Sequence, residues 1–180
     1  IVFFLTPGGV IAVPGGEVES RLQAEFPAGI YKFPYHIPSA GRTARGTAIV
    51  NLLELEKDEK ISAVIPVKEF REDRYLFMAT KGGIVKKTQL TEYDSNRKGG
   101  LIAISLDDDD DLIDVKLTDG AQDVIIGTQE GVAISFPEDN VRAMGRNTRG
   151  VRGIKLEDGD IVIGMDTLKA NCEVLSVTSE

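Results

Sequence analysis

The sequence predicts an all-β protein built from repeated four-stranded units, and three observations predict this fold class. An apolar run that ends in threonine occurs at 2–6, 75–80, 124–128 and 174–178. The last three of these runs follow one another at a spacing of about fifty residues. After the second and third of these runs come a turn that contains glycine and a second alternating run, which is the pattern of a β-hairpin. Helical periodicity is nearly absent.

The second half of the unit also recurs. The segments 45–52, 99–106 and 149–156 each place apolar residues in alternation after a glycine. Each segment is followed by an acidic stretch and then by a further apolar strand, at 61–65, 112–115 and 161–165. A repeat of about 40 to 50 residues that contains four strands is typical of a propeller blade. Because one blade cannot bury both of its faces alone, we expect neighbouring units to stack.

The repeats predict a single array of about three blades plus part of a fourth within 1–180. The expected units are 1–73, 74–121, 122–171 and the start of a fourth at 172–180. The first unit is longer than the others, because Gly29 follows Thr6 by twenty-three residues whereas Gly83 follows Thr80 by three. We therefore expect an insertion at about 8–28 in the first hairpin turn. Since a closed propeller has at least four blades, we expect either part of a larger ring or a ring that is broken at both ends.

Composition limits the classes of function. Hydrophobic residues make up 42% and charged residues 28% of the 180, which is typical of a globular chain. The net charge of −8 excludes a uniformly basic nucleic-acid binder. One cysteine excludes an intramolecular disulfide and favours a reducing compartment. No apolar run is long enough to cross a bilayer and no signal-peptide pattern occurs, so we expect a cytoplasmic protein without a membrane partner.

Positive charge is concentrated in one phase of the repeat. Residues 74–100 contain six basic and two acidic residues. Residues 141–155 contain five basic and no acidic residues, and residues 30–46 contain three basic and no acidic residues. Because equal phases of stacked units lie at equal positions, we expect these loops to form a band on the outer rim, with the acidic runs elsewhere. Such a band neutralises the phosphates of a bent duplex without reading its bases. The alternative is mixed charge that only solvates the loops.

Eleven basic residues of these loops are the candidate DNA contacts. They are Lys32, Arg42, Arg45, Lys86, Lys87, Arg97, Lys98, Arg142, Arg146, Arg149 and Arg152. No catalytic residue, cofactor ligand or metal ligand is predicted. The acidic run 107–111 lacks the alternation of a calcium loop and is more typical of a turn. His36 has no second histidine or nearby cysteine as a partner, and Cys172 begins an apolar run, so we assign neither to chemistry.

Three segments of the sequence resemble the C-terminal domain of the DNA gyrase A subunit. They are GRTARGTAIVNLL at 41–53, FMATKGGIVKKT at 77–88 and VRAMGRNTRGVRGI at 141–154. The resemblance implies a β-pinwheel, a propeller-like ring whose blades exchange a strand with a neighbour. It also implies that the basic rim binds and wraps double-stranded DNA, which supports ATP-dependent negative supercoiling by a bacterial type II topoisomerase.

The resemblance also implies partners and a division of labour. The partners are the B subunit and the rest of the gyrase A subunit, in a heterotetramer of two copies of each. In the family, ATP and Mg²⁺ bind to other domains and the cleavage tyrosine lies in the N-terminal part of the A subunit. We therefore expect this chain to be non-catalytic and to bind no cofactor, and we assign no chemistry to Tyr93.

One departure from the family and two alternatives remain. The heptapeptide Gln-Arg-Arg-Gly-Gly-Lys-Gly, which the family requires for wrapping, is absent, and its nearest equivalents are 96–100 and 149–153. We therefore expect weaker wrapping from this chain alone. The C-terminal domain of topoisomerase IV is similar but more degenerate and is the nearest alternative. A protein-interaction propeller without DNA binding is the other alternative, and it requires an exposed apolar patch.

Overall fold

A computed structural model of the chain describes residues 2–6, 9–13, 63–67, 69–94, 101–169 and 173–174. These residues form antiparallel strands, with 3₁₀ turns at Leu90–Tyr93 and Glu138–Asn140. The described strands are β1 (Val2–Thr6), β2 (Gly9–Val13), β3 (Ala63–Pro66), β4 (Tyr75–Thr80), β5 (Ile84–Gln89), β6 (Leu112–Thr118), β7 (Asp123–Thr128), β8 (Ala133–Pro137), β9 (Val151–Arg152) and β10 (Val162–Leu168). They belong to three sheets, which confirms the all-β prediction.

The first sheet has the order β2-β1-β3 and corrects the predicted insertion. Thr6 of β1 lies opposite Gly9 of β2, so the second strand of this hairpin begins three residues after the first strand ends. Gly9–Val13 is therefore part of the hairpin, and an insertion beginning at residue 8 is wrong. The signal was present in the sequence, because TPGG at 6–9 has the same spacing as TKGG at 80–83. The remainder of the expected insertion, 14–28, lies outside the described residues.

The second sheet contains a strand from the neighbouring repeat. Its order is β6-β4-β5-β9, and β9 comes from repeat 3 whereas the other three strands come from repeat 2. Val151 lies opposite Val85 and Arg152 lies opposite Ile84. This is the strand exchange that the resemblance implied. The exchanged strand is only two residues long, much shorter than the pattern at 149–156 suggested.

Glycine explains why the exchanged segment lies so close to β5. Gly150 has a φ of +105°, and a Cβ at this position would collide with the carbonyl oxygen of Val85. A Cβ on Gly153 would collide with the side chain of Val85. At these two positions the backbone of the segment, and not a side chain, therefore packs against β5. The segment has strand geometry only between the two glycines.

The third sheet has the order β10-β7-β8. Its edge strand β8 is not covered by a further described strand, whereas β5 of the second sheet is covered by β9. Four of its five residues are exposed, whereas the four central residues of β5 are all buried. The same hairpin therefore has a covered edge in repeat 2 and an exposed edge in repeat 3.

The core consists of two clusters on opposite faces of β4. Leu76 and Met78 belong to one cluster, which also contains Ile65 and Val67 at the end of β3. Phe77 and Ala79 belong to the other, together with residues of β7 and β10. Because successive side chains of a strand point to opposite faces, one strand contributes to both clusters. The units therefore stack face to face, as a blade with two apolar faces requires.

We expect Gly150→Ala to destabilise the protein by about 2 to 4 kcal/mol, because a left-handed residue with a Cβ is strained and the Cβ also overpacks the contact with β5. Urea unfolding of the two proteins measures this difference. Gly145→Ala is the matched control, since a Cβ there meets no atom within 4 Å, and we expect a change within about 0.5 kcal/mol. Equal stabilities of the two variants would contradict the proposed close approach.

Candidate nucleic-acid interface

The structure describes six of the eleven candidate DNA contacts. Lys32, Arg42, Arg45, Arg97 and Lys98 lie outside the described residues, so their assignment stays a prediction. The six described residues divide into two groups by burial. Lys86 and Lys87 are buried in β5, whereas the four arginines lie on the segment 142–152, which follows the edge of β5.

Lys86 is a structural residue and not a surface cation. Its side chain is fully buried, and its Nζ donates hydrogen bonds to the carbonyl oxygens of Ala103 (2.6 Å) and Thr148 (2.9 Å) and to that of Arg146. Burial and the nearby charge of Arg146 lower the pKa of Lys86 to about 8. One ammonium group thus joins repeat 2 to the loop of repeat 3.

Lys87 is also directed into the protein. Its Nζ donates a hydrogen bond to the carbonyl oxygen of Glu138 at 2.9 Å, lies 3.7 Å from a carboxylate oxygen of Asp139, and lies 5.2 Å from the centre of the Tyr75 ring. The Glu138 carboxylate is itself buried and accepts a hydrogen bond from the Thr118 hydroxyl at 2.7 Å. Lys87 therefore ties β5 to the turn that follows β8.

The prediction that Lys86 and Lys87 contact phosphates is therefore wrong. The Lys86 ammonium donates to three carbonyl oxygens, and the Lys87 ammonium is buried against one carbonyl and the Tyr75 ring, so neither is presented to an external phosphate. Counting charge along the sequence treats every lysine as exposed, but the exchanged segment covers an edge that would otherwise face water. As a result, the two lysines of β5 are buried like the apolar residue beside them.

The four arginines occupy one continuous segment that is fixed at both ends along β5. At one end the N–H of Met144 donates to the carbonyl of Lys87 (2.8 Å), and at the other the N–H of Gly153 donates to the carbonyl of Gly83 (2.9 Å). Arg142, Arg149 and Arg152 are exposed and Arg146 is half-buried. The segment carries no acidic residue. Of the six described candidates, these four arginines are the ones that the fold does not bury, and their contact with DNA stays a prediction.

The acidic turn of repeat 2 lies beside this basic segment and not on a separate part of the surface. An Nη1 of Arg149 lies 2.7 Å from a carboxylate oxygen of Asp107. Between them and the hairpin turn at Gly82 lies an open groove of about 620 Å³, which is also lined by the carboxylates of Asp108, Asp109, Asp110 and Asp160. The expectation that acidic runs lie elsewhere is therefore wrong at this position, because strand exchange carries the basic loop of one repeat to the acidic turn of the previous one.

Two of the acidic residues stabilise the hairpin turns. A carboxylate oxygen of Asp110 accepts hydrogen bonds from the N–H groups of Gly82 (2.7 Å) and Asp111 (2.9 Å). Asp160 accepts from Glu130 (3.1 Å) and Ile161 (2.8 Å) in the same way. This role was not predicted from the sequence, although an aspartate recurring fifty residues apart at the same phase was a visible signal.

The threonine that ends each apolar run has a matching role. The hydroxyl of Thr80 accepts a hydrogen bond from the N–H of Ile84 at 3.2 Å, and that of Thr128 accepts one from Val132 at 3.2 Å. Each threonine therefore closes the turn within its own hairpin, whereas the aspartate holds the same turn from the loop before the next strand. This arrangement gives a physical reason for the recurrence of threonine in the sequence.

Tyr93 is buried within the 3₁₀ turn that follows β5, and not exposed in a polar loop. Burial raises the pKa of its hydroxyl. The described residues include no cluster of three or more histidine, cysteine or acidic side chains arranged to hold a metal ion. No helix in the described part of the chain is long and apolar enough to span a membrane.

Comparison with known proteins assigns the family. A model of the DNA gyrase C-terminal domain, described as a beta-propeller, matches residues 34–68, 74–119 and 122–169. The chain belongs to the DNA gyrase C-terminal domain family. The matched ranges leave out 1–33, where the first hairpin lies, and contain all four arginines of the segment 142–152.

Relatives agree with this assignment. The chain is 49% identical to the A subunit of DNA gyrase from Escherichia coli over 144 residues, which is 80% of this chain and 16% of that protein. It is 54% identical over 120 residues to the gyrase A subunit of Halalkalibacterium halodurans, covering 67% and 14%. The chain thus spans about a sixth of the length of these relatives.

Among solved structures, the C-terminal domain of DNA topoisomerase IV aligns with a TM-score of 0.75 at 28% identity, over 94% of this chain and 47% of that domain. A DNA gyrase A C-terminal domain aligns with a TM-score of 0.69 at 23% identity, over 94% and 48%, which supports the shared fold. The aligned part of this chain thus covers about half of each of these two solved chains.

We expect Lys86→Met to destabilise this gyrase-family domain by about 1 to 3 kcal/mol, because three backbone carbonyls lose their donor while the side-chain volume is kept. Urea unfolding measures the loss. Lys81→Met is the control for charge removal, because Lys81 is half-buried in the hairpin turn. A Lys86 variant as stable as the control would show that the buried ammonium does not hold the two repeats together.

Asp160 is expected to make stability depend on pH. Although burial opposes it, hydrogen bonds from Thr128 and from backbone N–H groups lower the pKa of Asp160. A carboxyl with a lowered pKa in the folded state stabilises the fold above its unfolded pKa of about 4, and this contribution is lost as the pH falls through the folded value. We therefore expect Asp160→Asn to lower the Tm at pH 7 and this difference to shrink below pH 4.

Thermal unfolding at pH 7, 5 and 3 tests this effect, and Asp158→Asn is the control because Asp158 lies in the same turn but is exposed. A difference between wild type and Asp160→Asn that stays constant across the three pH values would contradict the role given to the charge.

Proposed function

We propose that this chain binds duplex DNA without sequence preference and bends or wraps it, as the C-terminal domain of a gyrase-type A subunit. The observation that carries the proposal is the segment 142–152, which contains four arginines and no acidic residue and is held along β5. Guanidinium groups bind phosphate oxygens through two parallel hydrogen bonds, and such contacts need no particular base.

Membership of the family supports a proposed assembly. The A subunit would combine with the B subunit in a heterotetramer of two copies each in the bacterial cytoplasm, where ATP-dependent strand passage introduces negative supercoils. In this proposal ATP, Mg²⁺ and the cleavage chemistry belong to other domains, and this chain supplies a DNA-binding surface. Identities of 49% and 54% to gyrase A subunits favour gyrase over topoisomerase IV as the parent enzyme.

A titration of a labelled duplex at several salt concentrations tests DNA binding. We expect affinity to fall steeply with salt, because each neutralised phosphate contributes about −0.9 to the slope of log K against log salt. Arg142→Ala combined with Arg152→Ala should weaken binding and lower that slope by about 2. Lys169→Ala, an exposed cation at the end of β10, is the control and should change neither quantity.

Two outcomes would count against this proposal. The first is no binding of duplex by the wild-type chain at low salt. The second is an equal loss of affinity in the arginine and Lys169 variants, which would indicate a general charge effect in place of a defined surface.

Protein interaction is a second candidate function, and the exposed edge of β8 favours it. Val132 and Ile134 are 51% and 38% exposed, and they lie in or beside a strand whose outer edge has no described partner. Such an edge can add a strand from another polypeptide. A partner bound in this way stays associated after nuclease treatment and in high salt, whereas a complex bridged by DNA does not.

A further inference from the structure

The ion pair between Arg149 and Asp107 joins the proposed DNA-binding segment to the acidic turn. Arg149 comes from repeat 3 and Asp107 from repeat 2, and their charged atoms lie 2.7 Å apart. The side chains are 70% and 62% exposed, so a large external ligand has access to both.

The surrounding backbone holds the pair together. The N–H of Ser105 donates to the carbonyl of Thr148 at 3.2 Å, and the Ser105 hydroxyl donates to the carbonyl of Asn147 at 3.1 Å. Asp107 and Arg149 each lie two residues beyond these anchored positions, at Ser105 and Asn147. These hydrogen bonds join the two backbone segments, and this places the two charged side chains next to each other.

We propose that Asp107 competes with a DNA phosphate for the guanidinium of Arg149, and so limits the affinity of this surface for DNA. The inference rests on the proposed function. The carboxylate occupies guanidinium donors that a phosphate also requires, since both anions bind the same fork of N–H groups. An ion pair this exposed is weak, so a phosphate displaces it at a modest cost in affinity.

The exchange of partners changes the ion balance as well as the affinity. When Arg149 turns to a phosphate, the DNA releases a counterion but the freed carboxylate of Asp107 gains a cation from solution. The net release is then smaller than one phosphate contact normally provides. Removing the carboxylate abolishes this uptake, so salt dependence reports on the competition separately from affinity.

The test compares Asp107→Asn with Asp108→Asn in duplex titrations at about 50 to 200 mM salt, where phosphate contacts give a strong salt dependence. Both variants lose one negative charge from the same exposed turn, but within the described residues only Asp107 pairs with Arg149. We expect Asp107→Asn to bind about two- to fivefold more tightly than Asp108→Asn at low salt, which is the range for an exposed pair. We also expect its salt slope to be steeper by up to about 1.

An Arg149→Ala background completes the test, because both aspartate variants should bind equally well when the contested guanidinium is absent. Equal affinities and slopes of the two variants in the wild-type background would overturn the inference while leaving the proposed function intact. Failure of the wild-type chain to bind duplex at low salt would overturn both. A gain for Asp107→Asn that persists unchanged in the Arg149→Ala background would also overturn the inference, because it would show simple charge repulsion.

Discussion

The contact between the exchanged segment of repeat 3 and the edge of β5 is the constraint on which the described structure depends. It completes the sheet of repeat 2 with β9, and it requires glycine at 150 and 153 because the backbone itself packs against Val85. It also explains the burial of Lys86, whose ammonium donates to carbonyls on the segment. The same contact places the arginines, since the segment that closes the edge is the one that carries them.

The residue that joins repeats 2 and 3 differs in chemistry from the residues at the same position of the other hairpins. Lys86 lies opposite Met78 in its hairpin, and Ile134 lies opposite Ile126 at the equivalent place in repeat 3. Ile134 is 38% exposed and has no charge with which to hold an incoming segment. In repeat 1 the residue at the same distance beyond the threonine is Ala12. The position of Lys86 is therefore occupied by an uncharged residue in the other two described hairpins, so its buried ammonium contact has no equivalent there.

The sequence predicted those features that depend on local pattern. Alternating apolar runs with a Gly-containing turn defined the hairpins β4–β5 and β7–β8, and the acidic stretches preceded β6 and β10 as expected. Other features depend on contacts between different repeats, and the local pattern of the sequence did not predict these. The lysines of β5 looked like surface charge because a single hairpin has a solvated edge, and only the strand exchange buries it. The first hairpin was predictable too, but placing its turn glycine at Gly29 instead of at Gly8 or Gly9 led to the wrong prediction.

Strand exchange also changes how charge in sequence becomes charge in space. Along the chain, basic and acidic stretches occupy different phases of the repeat, which suggested separate surfaces. The exchange moves the basic segment of repeat 3 back onto repeat 2, where it meets the acidic turn 107–111. The 2.7 Å contact between Arg149 and Asp107 is the direct result. Under the proposed function, a chain with a net charge of −8 presents arginines to DNA while the Asp107 carboxylate competes for one of them. We then expect its affinity for phosphate to depend on this pairing as well as on the total of its basic residues.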